Sequence, residues 1–404
     1  MKFNKKLTRT VFPAFVFLTV LLNGCTTTST LTSPTQTYLP PIITPTFTPT
    51  PTLTTSTPTP YPKRIAQYIH GVSFGLHWDE NIFPQYLDTE LTTLKSLNVN
   101  TVRLDLSWFM PEKGSNDVLQ LPAVWVEGES HGITPSDNDI RFFSKQVYQA
   151  GMDSWIALHL DYYDYSDWTG NFTPSDWSTW EANYETYVLH YARLAEENGI
   201  DYLTILNEQN TVEMRTEYLL KLIDEVRQVY SGTIIIQTAV TCPNYQNHIP
   251  DEVLEAVDAI GLNFYPSPRV GPDASIEEMT QGLLPQFNEL ADHFSSNNSK
   301  SLILSEFGTT RFDGITSERC ITDQFGLTDK KIDYHEMSNF YAAFANALRM
   351  SKLSKKLSGV MLHEWPMAYE ILVDNNYMKF GHFSPRDNQE ALSVISEWYG
   401  SFPK

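Results

Sequence analysis

Residues 202–210 read YLTILNEQN. A short apolar run of strand-forming residues leads straight into Asn207 and Glu208, with no turn residue between. Near-continuous apolar runs of this length suit strands buried on both faces, as in parallel sheets. The polar pair therefore falls at the carboxyl end of its strand. The same pattern recurs along the chain, and predicts strands at 69–75 (IHGVSFG), 99–105 (VNTVRLD), 153–159 (DSWIALH), 202–207, 233–240 (TIIIQTAV), 258–264 (DAIGLNF), 301–306 (SLILSE) and 358–363 (SGVMLH). Amphipathic stretches at 89–97, 139–150, 176–197, 212–230, 250–257, 275–294, 333–356 and 388–399 alternate with them, several opening on an Asp, Ser or Thr cap. Eight strands alternating with eight helices is the count for an α/β fold of the (β/α)₈ TIM barrel type. An open doubly wound sheet is the runner-up, but no glycine-rich phosphate loop opens a helix.

Upstream of that domain the chain changes character. Residues 1–24 carry Lys2, Lys5, Lys6 and Arg9, then an apolar run, then Asn23 and Gly24, with Cys25 next. This describes an export signal rather than a membrane span. The ending Leu22-Asn23-Gly24-Cys25 resembles the bacterial lipobox, in which Cys25 would be lipidated. Residues 25–62 are dominated by Thr, Pro and Ser and lack charge, so they hold too little apolar surface to offset ordering. They read as an extended stalk. The expected arrangement is a signal (1–24), a linker (25–62) and one catalytic domain (63–404), displayed outside the cytoplasm at a bacterial surface. The membrane is met through the lipid anchor only.

Composition narrows the partners. The formal charge of −20 argues against nucleic acid and other polyanions and leaves neutral polymers unaffected. Besides Cys25 there are two cysteines, Cys242 and Cys320. An exported chain allows them to pair, with two free thiols as the alternative. No CxxC or Cys/His cluster points to zinc, and no cofactor or metal is expected. Asp161, Asp164 and Asp167 are regularly spaced, yet that loop lacks the glycine and terminal Glu of an EF-hand.

Barrel chemistry collects at the carboxyl ends of the strands and in the loops that follow. Those positions hold Trp78, Arg103, Trp108, His159, Asp161, Asn207, Glu208, Asn263, Tyr265, Glu306, His363, Glu364 and Trp365. Paired carboxyls, a cation and flat rings are what cleavage of a glycosidic bond needs: one acid protonates the leaving oxygen and another attacks the anomeric carbon. Aromatic faces pack on the C–H faces of sugars. Asn-Glu occurs again at Asn288-Glu289, but inside an amphipathic segment where its carboxylate is a solvated charge. In the aromatic loop 161–172, Tyr162, Tyr163, Tyr165 and Trp168 read equally as sugar subsites or as rings packed on one another. The loop bearing Trp125, Glu127 and Glu129 is a further wall candidate.

With LNEQN ending the fourth strand, LSEFG the seventh and DAIGLNFYP the sixth, the domain resembles clan A glycoside hydrolases. VRLDLSW and LHEW are similar to the cellulase and mannanase type, and DAIGLNFYP to galactanase or family-113 mannanase types. Gln209 stands where the cellulase type often has Pro. The resemblance implies a retaining hydrolase of β-linked neutral poly- or oligosaccharide (a β-mannan, β-glucan or β-galactan) acting as a monomer. It implies Glu208 as acid/base, Glu306 as nucleophile and Asn207 as partner of the sugar's 2-hydroxyl. Tyr265 and Arg103 would serve Glu306, and His159, Trp365, Trp108 and Trp78 would bind substrate. Glu364 is a rival nucleophile, set aside because Trp365 is expected to face the cleft and its neighbour to face away. A sugar-binding barrel without turnover and a transglycosylase are the alternative functions.

Overall fold

The computed structural model describes residues 60–63, 66–75, 83–121, 134–162, 168–240, 249–271, 273–294, 300–317, 331–366 and 383–402. In chain order these form β1 (Ile69–Phe74), α1 (Phe83–Ser96), β2 (Thr101–Met110), α2 (Asp137–Ala150), β3 (Asp153–Tyr162), α3 (Trp177–Asn198), β4 (Tyr202–Asn207), α4 (Asn210–Glu213), α5 (Thr216–Val229), β5 (Thr233–Val240), α6 (Asp251–Ala256), β6 (Ala259–Phe264), α7 (Ile276–His293), β7 (Ser301–Phe307), α8 (Tyr334–Met350), β8 (Leu357–Trp365) and α9 (Gln389–Gly400). The strands close in sequence order into a parallel barrel, with β8 pairing β1. The expected (β/α)₈ TIM barrel is the fold.

Most expected elements recur within a few residues. β2 and β3 run further than their apolar signal, because they pair without interruption from Thr101↔Asp153 to Met110↔Tyr162. Pairing across strands is invisible to a local pattern. The expected helix at 212–230 is two, α4 and α5, broken at Met214 and Arg215, where Arg215 stacks on the Trp177 ring at 4.2 Å. The expected helix at 333–356 stops at Met350; a short 3₁₀ turn, Leu353–Lys355, fills the rest.

Side chains divide into two layers. Ile69, Trp155, Tyr202, Ile235, Ala259, Ile303 and Met361 fill the barrel floor, each from a different strand. The larger cluster lies between strands and helices, where α3 contributes Trp180, Tyr184, Tyr187 and Tyr191. Two of these hydroxyls reach strand carbonyls: Tyr184 donates to Ile205 O at 2.9 Å, and Tyr187 OH lies 2.9 Å from His159 O.

Strand alternation breaks where the site begins. On β4, Thr204 and Leu206 span what Ile235 and Ile236 span on β5, an extra residue. Ile205 and Leu206 thus both face the outer layer, and Asn207 returns to the barrel interior. On β7, Ile303 to Glu306 opposes Gly261 to Asn263, so Ser305 and Glu306 both turn inward. On β8, Leu362 to Trp365 opposes Val72 to Phe74 of β1. One-residue shifts of this kind re-aim side chains and concentrate beside functional sites.

A buried latch ties β8 to the helices. Glu90 on α1, 2% exposed, accepts from Trp365 Nε1 at 2.7 Å and from Arg386 Nη2 at 2.5 Å. Removing one partner of a buried ion pair leaves its charge under-compensated. Arg386→Ala is therefore expected to cost about 3 kcal/mol, read as a lowered unfolding midpoint in urea. A midpoint unchanged from the parent would contradict the latch.

Candidate active site

The mouth of the barrel is built around Arg103, which is fully enclosed. Residues 103, 105 and 107 of β2 alternate inward while Leu104, Leu106 and Trp108 pack outward. The Arg103 guanidinium donates to Ser305 O at 2.6 Å, to Asp105 Oδ2 at 3.0 Å and to Glu306 Oε1 at 2.9 Å. Tyr265, just past β6, donates its hydroxyl to Glu306 Oε2 at 2.8 Å. Both oxygens of Glu306 are thus held.

Burial opposes charge on Glu306, but positive charge at His363 and Arg103 outweighs it, and the pKa lies below the ordinary value. Burial lowers the pKa of His363 itself, so Arg103 is the permanent cation beside Glu306. Asp105 is pulled down in the same way: burial opposes its charge, and Arg103 and His159 prevail. His159 lies 3.5 Å from Asp105 by Nε2, and its pKa rises because that carboxylate more than offsets burial.

Glu208 stands opposite in both position and charge. It sits in the left-handed region at φ 58°, as the chain leaves β4; for a residue with a Cβ this conformation is costly and persists where surroundings enforce it. The surroundings here are hydrogen bonds. Asn263 Nδ2 donates to Glu208 Oε1 at 2.9 Å and to Asn207 Oδ1 at 3.0 Å, and Trp168 Nε1 donates to Glu208 Oε2 at 3.0 Å. Burial first, and the charge of Glu306 second, push Glu208 up to about 7. Two carboxyls in one cleft thus have pKa values driven apart, the pattern of an acid beside a nucleophile.

A polar chain through the barrel interior fixes Asn263. Trp155 Nε1 donates to Thr204 Oγ1 at 2.9 Å, Thr204 to Gln237 Oε1 at 2.6 Å and Gln237 Nε2 to Asn263 Oδ1 at 3.1 Å. Ser305 Oγ donates to the same Asn263 oxygen at 2.7 Å. Gly261 makes room for this chain, since a Cβ there would lie 2.6 Å from both Gln237 Cγ and Ser305 Oγ. The strand carrying Glu208 is thereby keyed to the strand carrying Glu306.

Of the residues singled out by sequence, Arg103, His159, Asn207, Glu208, Tyr265 and Glu306 converge. Asn207 Nδ2 lies 2.8 Å from His159 Nε2. Two tryptophans do not join them. Trp365 is fully buried in the layer between strands and helices and bonded to Glu90, while Glu364 turns toward β1. The expected orientation of that pair is reversed, because the extra residue in β8 inverts the alternation. Trp108 also faces out, stacked on Tyr187 and donating to Tyr191 OH at 3.2 Å. Trp78, Cys25, Cys242, Cys320, Trp125, Glu127, Glu129, Tyr163, Asp164, Tyr165 and Asp167 lie outside the described residues.

The unforeseen members are Asp105, Gln237, Thr204, Ser305 and Trp168 as a partner of Glu208. Asp105 had a readable signal, two residues from Arg103 on one strand face. Gln237, Thr204 and Ser305 are polar interruptions of apolar strands, whose partners only the closed barrel supplies. Among the described residues no cluster of His, Cys, Asp and Glu suited to a metal ion occurs.

Comparison with known proteins fits this geometry. The model of Glycoside Hydrolase Family 113 matches residues 130–380, a span that includes both Glu208 and Glu306. Among solved structures, a GH113 β-1,4-mannanase aligns at TM-score 0.65 with 17% identity, over 83% of this chain and all of that one. The GH113 β-mannanase of Alicyclobacillus acidocaldarius aligns at 0.63 with 18% identity, over 83% of this chain and 98% of that one. The endo-1,4-β-D-mannanase of Thermotoga petrophila aligns at 0.53 with 14% identity, over 83% and 100%. No curated protein matches the chain. The matched span covers more than half of the sequence, and the chain belongs to Glycoside Hydrolase Family 113, as a retaining glycoside hydrolase that acts on carbohydrate.

Proposed function

We propose that the chain hydrolyses the β-1,4 bonds of a mannan, with Glu306 on β7 as nucleophile and Glu208 at the end of β4 as acid/base. The observation that carries the roles is the opposed setting of the two carboxyls: Arg103 and Tyr265 hold Glu306 as an anion, while burial keeps Glu208 protonated near neutrality. The β-1,4-mannan substrate is supported by the family and by the mannanases that share the fold.

In the first step Glu306 attacks the anomeric carbon as Glu208 protonates the departing oxygen, leaving a glycosyl ester on Glu306. Esterification removes the negative charge that helps raise Glu208, so the pKa of Glu208 falls. It then accepts a proton from water, which attacks the ester from the face the leaving group vacated. Two inversions give retention. Asn207, bonded to both Asn263 and His159, is placed to meet the 2-hydroxyl. The lipobox-like Cys25 supports anchoring of the domain to a bacterial surface through a stalk; Cys25→Ser is expected to move the protein from the membrane fraction to the soluble one.

Azide separates the two roles. Glu306→Ala is expected to lose at least about a thousand-fold in kcat on manno-oligosaccharides, with azide giving the α-glycosyl azide. Glu208→Ala with azide is expected to give the β-glycosyl azide from the trapped intermediate. Products of the opposite configurations would exchange the roles, and unaltered turnover by Glu306→Ala would remove them.

The acid form of Glu208 and the anion of Glu306 are required together. Activity (kcat/KM) is thus expected to fall as pH rises through about 7, where Glu208 loses its proton. The acid-side fall should lie below the ordinary carboxylate value, because the pKa of Glu306 is lowered. A profile that stays flat from about 6 to about 9 would contradict the assignment.

A further inference from the structure

Glu364 is a buried carboxyl that the reaction above leaves unused. It is 5% exposed, at the end of β8, and no hydrogen bond to its carboxyl is formed among the described residues. His363 Nε2 lies 3.8 Å from its Oε2, beyond hydrogen-bond reach. The extra residue in β8 turns it toward the end of β1, where a Cβ on Gly75 would lie 2.3 Å from Oε2. A carboxyl taken out of water normally recovers its hydrogen bonds from a partner. Among the described residues no such partner meets it, which leaves room for a bound molecule to supply one.

Glu364 is not a second nucleophile. Glu306 has a guanidinium and a phenol on its oxygens; among the described residues Glu364 has neither. Burial, then the charges of Asp105 and Glu306, push it up to about 8, so at neutral pH it is a neutral acid able both to donate and to accept. In an eight-stranded closed barrel β8 lies across from β4. The leaving oxygen is on the Glu208 side, so a group on β8, beside Glu306 on β7, faces the attacked sugar rather than the departing one.

Resting on the hydrolase reading above, we propose that Glu364 binds the attacked sugar directly, pairing with a ring hydroxyl away from the bond being cleaved. Gly75 leaves the space in which its carboxyl stands, and His363 flanks it, held by Ser73 Oγ at 3.0 Å from Nδ1.

The test compares Glu364→Ala and Glu364→Gln with the parent on manno-oligosaccharides. Loss of the hydroxyl partner is expected to lower kcat/KM about ten-fold or more in Glu364→Ala, while Glu364→Gln, which keeps a donor and an acceptor, stays within about three-fold. The unfolding midpoint of Glu364→Ala should not fall, since a buried carboxyl without a partner is removed. Of the 3-deoxy and 6-deoxy analogues of the attacked sugar, one should be cleaved equally by parent and Glu364→Ala. Full activity in Glu364→Ala overturns the proposal; so does an equal loss in both variants with a lowered midpoint, which would mark a packing role. If the parent leaves mannan intact, the mannan reading fails, and the same comparison on the β-glycan it does cleave still decides the role of Glu364.

Discussion

A guanidinium with no access to solvent, caught between two carboxylates, organises this protein. Arg103 meets Asp105 and Glu306 at hydrogen-bond distance and lies above the Trp155 ring at 5.6 Å. Burying ions is costly, and the cost is offset only when their partners are well placed. The partners come from β2 and β7, on different sides of the barrel. Closing the barrel therefore brings the charge to Glu306, and the ionisation of that carboxyl depends on the closure.

The opposite carboxyl is governed by a second constraint. Glu208 is reached through a chain of neutral donors from Trp155 to Asn263, and it lies in a costly backbone conformation. Neutral donors orient the carboxyl without supplying the full charge that would keep it ionised. One pole of the site is thus ionic and the other is not. The shifts of strand register on β4, β7 and β8 make this possible, since each re-aims the residues that follow it.

These shifts also mark what could be read in the sequence. The barrel was legible because eight apolar runs alternate with amphipathic segments, and Glu208 and Glu306 were legible because each ends such a run. Arg103, His159, Asn207 and Tyr265 followed from position and resemblance. The orientation of Trp365 was not legible: the LHEW pattern places it in the cleft, but an extra residue in β8 sends it to Glu90 and brings Glu364 in. Trp108 misled for a related reason, as its β2 neighbours Arg103, Asp105 and Ser107 take the inward positions. Partnerships such as Asn263 with Glu208 join distant segments, and local patterns do not encode them.

The proposed mechanism needs Glu208 protonated, and burial first and the charge of Glu306 second hold its proton. Carbon-13 titration of the Glu208 carboxyl, in the free enzyme and in the ester formed on Glu306 by a slowly hydrolysed 2-deoxy-2-fluoro glycoside, measures that coupling directly. The expected pKa is about 7 in the free enzyme and lower in the ester. The same value in both states, or an ordinary carboxylate value in the free enzyme, would contradict it.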